Sequence, residues 1–178
     1  MHIILQTRRL TLRELTPADV DALRPILQDI EVMYAWEHAF SDAEIEAWIQ
    51  TNRARYQKER CGYLAALRRD TGELAGMLGL LMEEVNGTKR LGLGYLLRRD
   101  CWGLGLATEG AREIMEQAFR GRGAPEVIAE IRPENRPSRR VAERLGMHVE
   151  GEIIKRYRGK EMPHLIYVRH AAEEAENV

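Results

Sequence analysis

Apolar and polar residues alternate closely enough through Arg8-Arg9-Leu10-Thr11-Leu12-Arg13-Glu14-Leu15 to predict a first strand. Thr16-Pro17-Ala18-Asp19 then carries helix-start chemistry: Thr as N-cap, Pro at the first helical position and an acid in the first turn. That helix is expected to reach about Ile30. Ser41-Asp42-Ala43-Glu44 is a capping box that opens a second helix towards Lys58. Three apolar runs follow, Gly62 to Arg68, Glu73 to Met82 and Leu91 to Leu97. The turn signals Asp70-Thr71-Gly72 and Asn86-Gly87 separate them, so they read as an antiparallel meander.

Ala107, Ala111, Ile114, Met115 and Ala118 recur at helical spacing, predicting a helix from Leu106 to about Phe119 that Gly121 and Gly123 end. Pro125 precedes a strand, Glu126 to Arg132. A further helix from about Pro137 to Leu145 closes at Gly146. Val149 to Tyr157 and Met162 to His170 are the last two strands, about the turn Arg158-Gly159-Lys160. The order β-α-α-β-β-β-α-β-α-β-β indicates a layered α/β fold, with a mixed, mostly antiparallel sheet of about seven strands flanked by about four helices. The helix from Leu106 should cross over between parallel strands, with a ligand at their C-terminal ends.

Length and composition narrow this little further. At 178 residues the chain suits one domain, expected over residues 1–170, with an acidic, frayed tail at 171–178. A net charge of −1 gives no support for a nucleic-acid surface. Cys61 and Cys101 lie far apart, without metal-ligand spacing, and read as free thiols; no metal site is expected. The start, MHIILQTRRL, is too quickly charged for a signal peptide, and no apolar run approaches membrane-spanning length. A cytoplasmic protein without a membrane partner is expected, and a homodimer stays open.

The candidate chemistry sits in Arg98 to Gly110, RRDCWGLGLATEG. Gly103 and Gly105 fall where the strand stops and the helix starts. Glycine there permits a tight turn and a close approach to a ligand. The first N–H groups of the helix lack intrahelical partners, and with the helix dipole they suit a phosphate. Arg98 and Arg99 add positive charge at that end. The spacing is neither the dinucleotide fingerprint nor a phosphate-binding NTPase loop. Between the first two helices, Glu31 to Phe40 holds Tyr34, Trp36, Glu37 and His38. This aromatic connector either packs over the core or walls a substrate pocket.

Taken together, these features resemble the GNAT superfamily of N-acetyltransferases, in its RimJ/RimL-like branch. The family's pyrophosphate motif, Q/R-x-x-G-x-G/A, is matched by Trp102-Gly103-Leu104-Gly105-Leu106-Ala107, and W-G-x-G-x-A-T-E is usual for that branch. A second signature, N-x-x-S-x(7)-G-F/M, is matched by Asn135, Ser138 and Gly146-Met147. The resemblance covers nearly the whole chain. It implies acetyl-CoA as co-substrate, without a metal, and direct attack of a primary amine on the thioester. The acceptor is a protein N-terminus, such as that of a ribosomal protein, or a small amine.

The resemblance also implies roles for individual residues. The amides of Trp102 to Thr108, among them Gly103, Leu104, Gly105, Leu106 and Ala107, would hold the diphosphate, with Arg98 nearby. The strand ending Leu96-Leu97 would pair with the pantetheine arm where it splays from Glu126–Arg132, and Asn135 would help hold that arm. Arg140 either approaches the 3′-phosphate or is solvated. Two family positions are changed. The usual tyrosine acid is Ala142, and the usual glutamate before the central strand's end is Gly92. Ser138 is then the candidate donor to the leaving thiolate, or simply a helix-start serine. Glu130 is a candidate base, although a carboxylate on a covered strand is costly; Glu37 and His38 are others. Tyr157, His164 and Glu109 read as structural. The altered positions also leave open a non-catalytic acyl-CoA-binding module.

Overall fold

The computed structural model describes residues 3–171. Eight strands form one sheet: β1 (Ile3–Gln6), β2 (Leu10–Glu14), β3 (Gly62–Arg68), β4 (Leu74–Val85), β5 (Thr88–Leu97), β6 (Glu126–Ile131), β7 (His148–Tyr157) and β8 (Lys160–His170). Their spatial order is β1-β2-β3-β4-β5-β6-β8-β7. Four helices flank it: α1 (Val20–Leu27), α2 (Asp42–Glu59), α3 (Leu106–Arg122) and α4 (Arg136–Arg144). All neighbours are antiparallel except β5 and β6. The mixed, mostly antiparallel sheet is as the sequence predicts, with one strand more. β1 escapes the pattern because its apolar run is short and no turn residue separates it from β2; it pairs with β2 through a register shift.

The first helix is shorter than expected. A 3-10 turn over Pro17–Asp19 precedes α1, which stops at Leu27. Beyond it, the Asp29 carboxylate accepts the Glu31 N–H at 2.9 Å and the Asp29 carbonyl takes the N–H groups of Val32 and Met33. Such local bonding of an Asp competes with helix continuation. The acidic tail lies outside the described residues, beyond Ala171.

Each face of the sheet has its own core. Ala66, Leu78, Leu93, Leu97 and Tyr167 pack under α3, through Ile114, Met115 and Ala118. On the other face Tyr63, Ala65, Met77, Leu81 and Leu96 pack against α1 and α2, through Leu23, Ile26, Ile45 and Ile49. A third, smaller cluster joins Val85, Ile128, Ile166 and Val168, with Ile153 packed against it. Buried polar groups tie α2 to β3: Asn52 accepts the Tyr63 N–H at 2.8 Å, and the Tyr56 hydroxyl donates to the Tyr63 carbonyl. Burial pushes that phenol up to about 12.

The strand-to-helix junction before α1 rests on one buried ion pair. Arg13 donates to both carboxylate oxygens of Asp19, at 2.8 and 2.6 Å, and Thr16 donates through its N–H and hydroxyl. Burial works to raise the Asp19 pKa, but Arg13 and Thr16 outweigh it and hold it below the ordinary value. A folded pKa below the unfolded one makes ionised Asp19 stabilising at neutral pH, and that contribution disappears as the pH falls through the folded value. Asp19→Ala, which strands Arg13, should lower the unfolding free energy by about 3 kcal/mol at pH 7. In urea titrations the gap between variant and parent should close as the pH is lowered through the acid range.

Candidate functional site

The parallel strands β5 and β6 meet at a single register position, Gly92 beside Ile128. Beyond it β5 continues to pair with β4 as far as Leu97, and β6 pairs with β8 over all of Glu126–Ile131. The two strands therefore diverge, leaving the facing backbone edge of Leu93–Leu97 without a strand partner. Tyr95 spans the opening, its hydroxyl donating to the Ser138 carbonyl in the first turn of α4 at 2.8 Å. A cleft of about 1210 Å³ runs through this gap. At one end it reaches the start of α3, and at the other the segment between α1 and α2.

At the α3 end, Gly103 and Gly105 take φ of 73° and 76°, the left-handed region that glycine enters freely. The first bond of the helix runs from the Glu109 N–H to the Gly105 carbonyl at 3.0 Å. The N–H groups of Leu106, Ala107 and Thr108 therefore have no partner within the helix. All three residues line the cleft, with Trp102, Gly103 and Gly105. A Cβ at Gly103 would meet nothing within 4 Å, so the loop presents bare backbone to open space. The loop is braced from behind. Arg9 donates to the Leu104 carbonyl at 2.8 Å and pairs with Glu109, which also accepts the Arg9 N–H and the Thr7 hydroxyl. Burial would raise the Glu109 pKa, but these donors outweigh it and keep it low.

Several expected residues fall elsewhere. Leu104 does not line the cleft: its carbonyl faces Arg9 and its side chain is exposed. Arg98 is taken by Asp100, at 2.6 and 2.8 Å, and by Glu73, so its guanidinium turns away from the cradle. Those hydrogen bonds to Asp100 hold its pKa above the ordinary arginine value. Leu96 and Leu97 do lie along the open edge, and the Leu97 carbonyl accepts the Trp102 indole N–H at 2.9 Å. In α4, Asn135 is the N-cap and accepts the Ser138 N–H at 3.1 Å, so Ser138 is not itself the cap. Ser138 and Arg140 line the cleft, while Arg139 is held by the Tyr167 hydroxyl and the Pro133 carbonyl.

At the other end Tyr34 and Trp36 wall the cleft, whereas Glu37 and His38 do not. Glu37 adopts a left-handed φ of 51°, which turns its carboxylate to Arg132 and Lys160. His38 pairs with Glu44 at 2.8 Å. The Ser41 N–H, followed by His38, draws the Glu44 pKa down to about 2. Both residues clamp the connector rather than face the cleft. Glu130 lines it, buried and paired with Lys155, and burial raises its carboxyl above the ordinary range. Sequence reasoning missed Glu83, Lys155 and Arg132 and read Tyr157 and His164 as structural, although all five line the cleft. For Glu83 strand alternation carries the signal, since residues 81, 83 and 85 share one face of β4.

A group formed by Glu126, Glu150 and His170 lies away from the cleft, and Arg90 bridges its two carboxylates at 2.6 and 2.7 Å. No helix among the described residues is long and apolar enough to cross a membrane.

The sequence model of the acetyltransferase (GNAT) domain matches residues 9–148. The uncharacterised N-acetyltransferase YoaA of Bacillus subtilis is 30% identical over 159 residues, 88% of this chain and 89% of YoaA. An acetyltransferase structure from Agrobacterium tumefaciens superposes with a TM-score of 0.77 at 28% identity, covering 93% of each chain. RimL, described as a ribosomal L7/L12 alpha-N-protein acetyltransferase and solved in complex with coenzyme A, has the same fold: TM-score 0.78, 21% identity, 95% of this chain and 98% of RimL. The chain belongs to the GNAT acetyltransferase family and is an acyltransferase.

The geometry makes Gly105, the N-cap of α3, and Gly121, inside the helix, behave oppositely. Gly105→Ala has room for its Cβ but must hold a left-handed φ, so it should destabilise the protein by about 1 to 2 kcal/mol. Gly121→Ala, on an open helical position of the same α3, should stabilise it by about 0.5 to 1 kcal/mol. Denaturant midpoints of the two variants check both signs.

Proposed function

We propose that this acyltransferase takes acetyl-CoA as co-substrate and transfers the acetyl group to a primary amine by direct attack on the thioester. The observation that carries this reading is the one-point contact between β5 and β6, beside an amide cradle at the start of α3. A diphosphate suits unpaired helix N–H groups. A pantetheine arm, with its two amides, suits the open edge of Leu93–Leu97. RimL, whose structure holds coenzyme A, shares this fold. The residues proposed to contact the cofactor are Leu96, Leu97, Trp102, Gly103, Gly105, Leu106, Ala107, Thr108, Asn135 through its amide nitrogen, and Arg140.

The amine arrives from the opposite end, past Tyr34 and Trp36. It must lose a proton before it can attack. Backbone N–H groups beside the divergence stabilise the oxyanion that forms on the carbonyl. Ser138, at the cleft wall, donates to the departing thiolate. The N-terminal amine of a protein is the first acceptor class to test, and small amines the second.

Calorimetry should detect acetyl-CoA binding to the parent protein and none to Gly103→Glu, which places a carboxylate at the cradle. A panel of N-terminal ribosomal peptides, polyamines and amino acids, assayed by free thiol release with acetyl-CoA, should contain a substrate. Binding without thiol release from any amine would favour an acyl-CoA-binding module. Ser138→Ala should lower kcat about 10²-fold while leaving acetyl-CoA affinity unchanged; an unchanged kcat would return Ser138 to a structural role.

A further inference from the structure

The two edges of the sheet differ. β1 at one edge is 4 residues long and joins β2 through a register shift. β7 at the other is 10 residues long, and among the described residues nothing pairs with its outer side. An edge of that length is a template for another strand unless the chain blocks it. Which backbone groups face outward follows from the hairpin turn. Arg158 and Gly159 have φ of 48° and 78°, forming a two-residue turn whose flanking residues, Tyr157 and Lys160, exchange both backbone hydrogen bonds. Bonding then alternates along the antiparallel pair. Tyr157, Lys155 and Ile153 bond towards β8, while Arg156, Ile154 and Glu152 aim their N–H and C=O groups away from the sheet. Pro163, which has no N–H to give, stands opposite Ile154 and needs none there.

The side chains at these outward positions are exposed as well. Ile154 is 65% exposed, the most open of the large apolar side chains described, and Glu152 and Arg156 flank it on the same face. A row of like charges would repel a second copy of the strand. Here the order is acid, apolar, base. Laid antiparallel on itself about a twofold axis at Ile154, β7 sets Ile154 against Ile154 and Glu152 against Arg156 at both ends. Sliding the register by two residues puts a charge opposite Ile154 instead. Opposite charges facing each other across a strand pair attract, and like charges repel. Arg156 already holds Glu161 of β8 at 2.8 Å, so in the paired strands it stands between two carboxylates.

We propose that β7 pairs with β7 of a second copy of this chain, antiparallel and centred on Ile154, joining two sheets into one. Such an interface is isologous, so every contact occurs twice. The outward N–H and C=O groups of Glu152, Ile154 and Arg156 gain backbone partners, and the two Ile154 side chains cover each other. Lys155 and Tyr157 line the cleft, and the pairing sets Ile153 and Gly151 of the second copy opposite them. The second copy thereby becomes the outer neighbour of the cleft wall. The pairing does not depend on acetyl transfer.

The test uses the full chain without ligand. Sedimentation equilibrium over a range of concentrations should show the parent as a dimer that dissociates on dilution. Glu152→Arg and Arg156→Glu each set like charges opposite one another at both ends of the interface, and each should weaken the dimer by about 10²-fold or more with an unchanged circular dichroism spectrum. Mixed in equal amounts, the two variants regain an arginine opposite a glutamate at both ends and should form a heterodimer, although neither associates alone. Amide hydrogen exchange at Glu152, Ile154 and Arg156 should be slow in the parent and fast in either variant by itself. A parent that stays monomeric up to about 1 mM overturns the proposal. So does a dimer that both charge reversals leave within about threefold of the parent affinity, or a mixture of variants that stays monomeric. Slow exchange at those amides in a monomeric parent would show the edge covered by something other than a second copy, and would overturn it too.

Discussion

The site depends on a backbone edge that the fold leaves unpaired. Buried N–H and C=O groups are normally satisfied, so a central strand that stops pairing inside a sheet needs compensation. Here β5 and β6 touch only at Gly92 and Ile128, and each strand is held by its other neighbour. Tyr95 reaches from β5 to the Ser138 carbonyl and ties the divergent strands together through α4. Because each strand is anchored away from the gap, the opening can persist without a ligand, and its edge groups stay available to a partner with matching amides. The divergence and the cradle at α3 are adjacent because both come from the same chain reversal at the end of β5.

Charge is distributed along the cleft in two distinct ways. At the α3 end unpaired backbone N–H groups face the cleft, while Arg98 is engaged by Asp100 and Glu73 and Arg99 by Asp29. At the opposite end the charges are side chains, and they are almost all paired. Arg132 lies between Glu37 and Glu134, and Lys155 lies between Glu83 and Glu130. Lys155 meets Glu130 through Oε2 and leaves its Oε1 without a partner.

The elements and the cradle were legible because they rest on local rules. The glycine pair at 103 and 105, the capping box at Ser41 and the Asn135 start of α4 are each written in a few consecutive residues. What depends on pairing between distant strands was less visible. Nothing near Glu37 announces that Arg132 and Lys160 will turn it from the cleft. Glycine at 92 reads along the chain as a lost carboxylate. In three dimensions it is a vacancy that the neighbouring strand fills with Glu83, a relation only the β4–β5 register expresses.

The brace on the α3 loop bears on how the molecule assembles. Arg9 and Glu109 are 100 residues apart in sequence, yet their contact holds the turn that presents the amides. Closing so long a loop costs more chain entropy than closing a hairpin, although that cost grows only slowly with length. A chain with β5 and α3 formed but its first hairpin undocked would carry the glycine turn without the strut behind it. The aim of those amides is therefore a property of the finished topology, not of the glycine turn alone.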